Sequence, residues 1–154
     1  MDAIHTIKAP SIVELRIEAG APIEFKFGTT LIRLAGVQAP EAGTSCAAKG
    51  DGDCLSRIRV FVKAEGKGRS IQCETRPGDT TGIPQASCAF CPPAPLKAAP
   101  QPTAAPLCWD LSLQLIRNGL ARPDWTYLNA SVFAQSALEA DADAKAHKLG
   151  LWSR

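Results

Sequence analysis

The sequence predicts an α+β domain, mainly β, on three observations. Apolar and polar residues alternate in short runs through the first forty positions, the period of a half-buried strand. Helix-spaced apolar residues follow Cys54 and again follow Asp110. The 154 residues, 45% of them apolar, suit one compact domain with a core of ordinary size.

Taken in order, Ser11 to Ile17 alternates Ile12, Glu14 and Arg16 against Val13, Leu15 and Ile17, giving a first strand. Ile23, Phe25 and Phe27 alternate with Glu24 and Lys26 in a second. Gly28-Thr29 is a turn signal, and Thr30 to Val37 reads as a third strand. Residues 39–53 carry Pro40, Gly43, Gly50 and Gly52 and read as a loop. Leu55, Ile58, Phe61 and Val62 predict a helix ending near Gly66. Arg69 to Thr75 and Gln85 to Phe90 return to strand character, with Gly78 and Gly82 in the turn between them. Asp110 caps a helix carrying Leu111, Leu115 and Ile116, which closes at Asn118-Gly119. A last helix is expected from about Asn129 or Ser131 to Leu149, with Lys145, His147 and Lys148 opposing its dipole. Five strands and three helices in this order suggest a five-stranded OB-fold β-barrel with flanking helices. Residues 1–10 are an N-terminal extension and 11–152 the domain. Within it, Pro92 to Pro106 holds six prolines and predicts an exposed, extended insertion spanning 92–107.

The net charge of +2 shows no basic stripe for gripping phosphates, and no apolar run is long enough for a membrane span. Residues 1–20 lack a basic region followed by an apolar stretch, so no signal peptide is expected in this chain. Six cysteines, at 46, 54, 73, 88, 91 and 108, favour disulfides and an oxidising compartment. Zinc held by Cys73, Cys88, Cys91 and Cys108 is the competing reading, and a redox Cys88/Cys91 pair a weaker one. The expectation is a periplasmic or secreted bacterial protein whose leader has been removed.

One stretch identifies a family. Ile32-Arg33-Leu34-Ala35-Gly36-Val37-Gln38-Ala39-Pro40-Glu41 resembles the "IRLxGIDAPE" motif of the thermonuclease (staphylococcal nuclease-like, SNase) family. Leu115-Ile116-Arg117-Asn118-Gly119-Leu120-Ala121 is similar to that family's "LVxxGLA", and Gly150-Leu151-Trp152 to its closing "GLW". Arg69 to Glu74 and Ala86 to Cys88 resemble the strands around its "DRYGR" loop. The likeness covers about residues 11 to 152 and implies an OB-fold endonuclease using Ca²⁺, two arginines and a glutamate.

Residue by residue, most of that machinery is missing. The family's "DGDT" turn aligns with Ala19-Gly20-Ala21-Pro22, so alanine stands at both of its aspartate positions. The aspartate of "GIDAPE" is Gln38, and the second arginine falls on Ile83 in the stretch Asp79-Thr80-Thr81-Gly82-Ile83. Arg33 and Glu41 alone remain as the implied catalytic residues. Calcium needs carboxylate and carbonyl oxygens, and the loss of one preorganised donor costs about 100- to 1,000-fold in rate. The expected cofactor set is therefore empty, with the family's Ca²⁺ lost. Arg33 then pairs with Glu41 or serves as an anion anchor. Asp51-Gly52-Asp53 repeats the letters of the lost turn inside the Cys46–Cys54 loop, and a solvated loop is its plainer reading. His5 and His147 have no nucleophile placed beside them.

Within the implied fold, nearest-neighbour pairing Cys46–Cys54, Cys73–Cys88 and Cys91–Cys108 is favoured over the other connectivities. The last of these clasps the base of the proline-rich loop as a docking arm. The functional expectation is a pseudoenzyme: a monomeric, noncatalytic binding or structural module for a protein, glycan or oligonucleotide. An aromatic content of 6% argues against a base-stacking platform. The alternatives are a weak, divergent Ca-dependent nuclease using Glu41, Gln38 and Asp79, and a purely structural part of an envelope complex.

Overall fold

A computed structural model describes residues 5–9, 14–27, 30–46, 53–76, 83–92 and 108–153. The chain folds as a mixed α+β domain around one sheet. Strands β1 (His5–Ala9), β2 (Glu14–Arg16), β3 (Pro22–Phe27) and β4 (Thr30–Gln38) precede helix α1 (Cys54–Gly66). β5 (Ser70–Arg76), β6 (Gln85–Cys91) and β7 (Trp109–Asp110) follow, then α2 (Leu111–Arg117), β8 (Arg122–Pro123), α3 (Trp125–Leu128) and α4 (Ala134–Ala146). A 3₁₀ turn (Gly150–Trp152) ends the described chain.

The sheet runs β1-β5-β6-β4-β3-β2, with β7 added to β6 and β8 to β4. All pairings are antiparallel except β4 with β6, which is parallel. Alternation explains the register: β4 buries Ile32 and Leu34 while Arg33 takes the other face, and β3 buries Ile23 and Phe25 around Glu24. In β5 and β6, Ile71 and Cys73 meet Phe90 and Cys88, and all four are buried.

Three differences in the strands separate the structure from the sequence reading. Among the described residues the strand path is open, with β1 and β2 at its two ends, rather than a closed five-stranded barrel. The predicted first strand pairs with β3 only over Glu14–Arg16, whereas residues 5–9, read as an extension, pair along β5. The two-residue strands β7 and β8 are too short to show a period. The proline-rich loop and the 79–82 turn lie outside the described residues.

The predicted last helix is two. α3 starts where the Asp124 carboxylate accepts from the Tyr127 amide at 3.4 Å. It stops because the Ser131 hydroxyl donates to the Leu128 carbonyl at 2.8 Å and accepts from the Phe133 amide at 3.1 Å, which bends the chain before α4. α4 buries Ala137, Ala140 and Ala144 at spacings of three and four, a small-residue face that lets it lie close to α2. α1 buries Cys54, Ile58 and Val62 in the same manner.

Three disulfides join Cys46 to Cys54, Cys73 to Cys88 and Cys91 to Cys108. Cys73 and Cys88 face each other directly across β5 and β6, with Cα atoms 4.1 Å apart. Three bridges in one small domain fit an oxidising, extracellular type of compartment. Among the described residues no helix is long and apolar enough to cross a membrane.

The two glycine motifs near the C-terminus interlock. Gly119 (φ +68°) and Gly150 (φ +52°) stand back to back, and a Cβ on either would run into the backbone of the other's segment. Leu151 donates its amide to the Gly119 carbonyl at 2.7 Å, so the chain end is sewn onto the end of α2. Gly119→Ala is expected to cost more than about 3 kcal/mol in urea denaturation, the left-handed penalty plus a backbone collision. Gly43→Ala, also at positive φ but with open space around it, carries only the backbone penalty of about 1–2 kcal/mol. Equal losses in the two variants would rule out the collision.

Candidate functional site

The positions singled out from the sequence fall into two groups along β4, one around Arg33 and one around Gln38. β3 and β4 are joined by the two residues 28 and 29, and that connection sets Glu24 opposite Arg33. An irregularity between Pro22 and Glu24 then shifts the register so that Pro22 faces Gln38. The turn Ala19–Pro22 is tied to the chain after β4 by two backbone bonds. Gly20 donates to the Pro40 carbonyl at 3.0 Å, and Ala39 donates to the Ala21 carbonyl at 2.8 Å. These bonds hold Ala19, Ala21, Gln38 and Glu41 in one neighbourhood.

Gly20 matters for its shape. It has φ +70°, and the Glu41 carboxylate lies directly over it, with Oε2 2.9 Å from where a Cβ would stand. Glu41 is otherwise exposed, Gln38 is exposed at the end of β4, and Ala19 is exposed in the turn. Arg33 is half-buried, and its guanidinium meets Glu24 across the strand pair at 3.5 Å, the side chains being 20% and 19% exposed. Its amide donates to the Pro84 carbonyl at 2.9 Å, which sets the half-buried Ile83 one residue away.

Glu24 is the member that sequence reasoning missed. A two-residue connection between β3 and β4 makes facing residues sum to a constant, as Phe27 with Thr30 and Glu24 with Arg33 both do. The pair was therefore readable from the Gly28-Thr29 turn signal. Glu24 is the natural first partner for Arg33 because cross-strand neighbours stand about 5 Å apart.

The donor set does not suit a hard divalent cation. At the positions the resemblance assigns to calcium stand two methyl groups and one amide, and an amide offers a single neutral carbonyl oxygen. Among the described residues no three His, Cys, Asp or Glu side chains form a group able to hold a metal ion. Asp53 is exposed beside α1, where its carboxylate accepts from the Ser56 hydroxyl at 3.4 Å, while Asp51 and Asp79 lie outside the described residues. His147 is exposed at the end of α4 with Nδ1 2.9 Å from the Asp143 carbonyl, a helix-end contact. The side chain of His5 is outside the described set.

A second titrating group lies away from these positions. Asp110 caps α2 by accepting from the Leu113 amide at 2.9 Å and also accepts from the Ser87 hydroxyl at 3.2 Å. Burial pushes its carboxyl above the usual 3.8, against the lowering pull of those hydrogen bonds. Together with Gln72, Glu74, the Cys91–Cys108 bridge and Phe133 it lines a cavity of about 290 Å³. Its hydrogen bonds are all accounted for by capping and by the β6–β7 pairing, which makes it a structural acid.

Compared with known proteins, the chain matches no family model and no curated protein.

The raised Asp110 carboxyl fixes the sign of one pH effect. The folded state holds this proton more tightly than the unfolded chain, so the group's contribution to stability falls as pH rises through 3.8 toward the raised value. Asparagine caps a helix as well as aspartate. Asp110→Asn is expected to flatten that part of the stability–pH curve, measured by urea denaturation between pH 3 and pH 7, with little loss at neutral pH. A steeper curve in the variant would show that the burial penalty is not the controlling effect.

Proposed function

We propose that this chain is a degenerate thermonuclease-like domain that binds or scaffolds rather than cleaves, in a periplasmic or secreted setting. The observation that carries this reading is the backbone lock between the Ala19–Pro22 turn and the chain from Gln38 to Glu41. The lock holds Ala19, Ala21, Gln38 and Glu41 together, and one carboxylate among those four side chains is what supports a noncatalytic reading. Without acidic oxygens nothing offsets the desolvation of a divalent ion, and without the ion nothing balances charge developing on a phosphate.

The OB-type reading has support from connectivity. The path β2-β3-β4-β6-β5, with β4 and β6 parallel and α1 between β4 and β5, is compatible with a five-stranded, partly open Greek-key arrangement. β1 and β2 sit at opposite ends of a six-strand path, which laid flat would separate them by about 24 Å. Only residues 10–13 join them, and that stretch spans at most about 17 Å from Ala9 to Glu14. A link that short supports a curled sheet over a flat one. A protein, glycan or oligonucleotide ligand on the curled face, or on the arm clasped by Cys91 and Cys108, fits a monomeric module of this kind.

Calcium calorimetry paired with a fluorogenic DNA assay tests the reading. The expected result is no calcium binding tighter than about 1 mM, the weak limit for calcium modules, and no calcium-dependent cleavage. The combined variant Ala19→Asp, Ala21→Asp and Gln38→Asp is expected to gain calcium affinity by about tenfold or more, because the backbone that placed the ligands is retained. Calcium-dependent cleavage by the unmodified chain, abolished in Glu41→Ala, would make it a nuclease and overturn the proposal.

A further inference from the structure

Three cations of this domain meet in one place that neither the sheet edge nor the folding of α4 explains. A pocket of about 490 Å³ is lined by Thr44, Arg122, Lys145, Lys148, Leu151 and Trp152, and no acid is among these lining residues. They come from three segments: the loop after β4, strand β8, and the end of α4 with the 3₁₀ turn. We propose that this pocket binds the phosphate dianion of a small phosphomonoester, whose apolar or aromatic body rests on Leu151 and Trp152.

The geometry of the three cations carries the proposal. Lys145 is fixed: its ammonium lies 2.9 Å from the Asp141 carboxylate and 4.8 Å from the centre of the Trp152 ring. Arg122 and Lys148 are exposed and have no acidic partner among the described residues. Arg122 can present two parallel N–H donors to a phosphate, Lys148 supplies a compact point charge, and the Thr44 hydroxyl adds a neutral donor. Three positive charges facing one space repel each other; Asp141 offsets Lys145 and the carbonyl end of α4 offsets a further part, which leaves Arg122 and Lys148 as the excess.

Backbone conformation adds an independent observation. Lys148 has φ +52° and is the described non-glycine residue with a left-handed backbone. It occupies the position just past a helix end where glycine fits without steric cost. The chain therefore bears a backbone penalty there while adding a third charge to a crowded pocket. A bound dianion offsets that charge crowding. A carboxylate, with one charge and two oxygens, matches three cations less well than a phosphate with two charges and three oxygens. The volume falls within the range of about 300–1,000 Å³ usual for small-ligand sites.

This inference rests on the reading of the chain as a binding module, yet it uses none of the positions assigned to metal or cleavage. The test is calorimetric titration of the intact, oxidised chain in low salt with EDTA. The probes are phenyl phosphate, adenosine monophosphate, inorganic phosphate and adenosine. The two esters are expected to bind, inorganic phosphate more weakly, and adenosine not at all. Arg122→Ala and Lys148→Gly should each weaken ester binding about tenfold or more, as loss of a charge-assisted contact does. Lys148→Gly should do so while keeping or raising the melting temperature, which a merely structural lysine would not, and Arg122→Lys should recover part of the affinity. Equal affinity for inorganic phosphate and the esters would mean an adventitious ion only. Unchanged binding in Arg122→Ala and Lys148→Gly, or no ester binding at all, would likewise overturn the proposal. Because no divalent ion is present, failure here leaves the noncatalytic reading standing, and calcium-dependent cleavage would sink that reading without touching this result.

Discussion

Burial of β4 is the constraint on which both the architecture and the site depend. It pairs with β3 on one side and with β6 and β8 on the other, while α2 and α3 cover its second half. The Ser112 hydroxyl donates to the Ala35 carbonyl at 2.5 Å, and Leu128 packs over Gly36. From Leu34 to Val37 every residue is consequently buried, and simple alternation ends there. A strand held this firmly delivers Arg33 to Glu24 at one end of the run and Gln38 to the Ala19–Pro22 turn at the other. Shifting its register by one residue would exchange Arg33 with Ile32 or Leu34 and expose the core.

The rest of the molecule secures that strand through short covalent and backbone ties in addition to the shared core. Cys46–Cys54 closes the loop that follows β4, where Cys54 also donates its amide to the Thr44 carbonyl at 3.2 Å and Ser45 bridges to Asp53. Cys73–Cys88 fastens the hairpin that carries β6. The glycines at 119 and 150 bring the chain end against α2, next to that first disulfide, whose Cys46 sulfur lies 3.8 Å from the Gly119 carbonyl. A bridge closing a loop of this size contributes about 2–4 kcal/mol, comparable with the whole stability margin of many small domains.

What was legible in the sequence follows from what each signal measures. β3, β4, β5, β6 and α1 bury one face or stripe each, so their apolar spacing announces them. β7 and β8 consist of two residues each and exist because a neighbouring strand has free edge groups, which leaves no periodic trace. The break between α3 and α4 turns on the Ser131 hydroxyl, a local competition that alanine-rich helical composition hides. At the sheet edge, Arg33, Gln38 and Glu41 were legible because they lie within one motif, whereas Glu24 required the hairpin register to be worked through. Arg122, Lys145, Lys148 and Trp152 were legible only singly. Lys145 and Lys148 read as ordinary cations at a helix end, and their meeting with Arg122 depends on β8 pairing with Gln38.

That pairing links the two regions physically. Gln38 and Arg122 are register partners on β4 and β8, so the neutral amide at the end of β4 is flanked by an arginine. An aspartate at 38 would place a negative charge beside that arginine and draw it into an internal ion pair. A neutral glutamine leaves the arginine's charge uncompensated from that side. The neutral side chain at 38 therefore gives little hold to a cation and preserves positive potential for the neighbouring pocket. One neutral residue at the end of β4 thus offers little to a cation at the Ala19–Pro22 turn and leaves the field of Arg122 undiminished from that side.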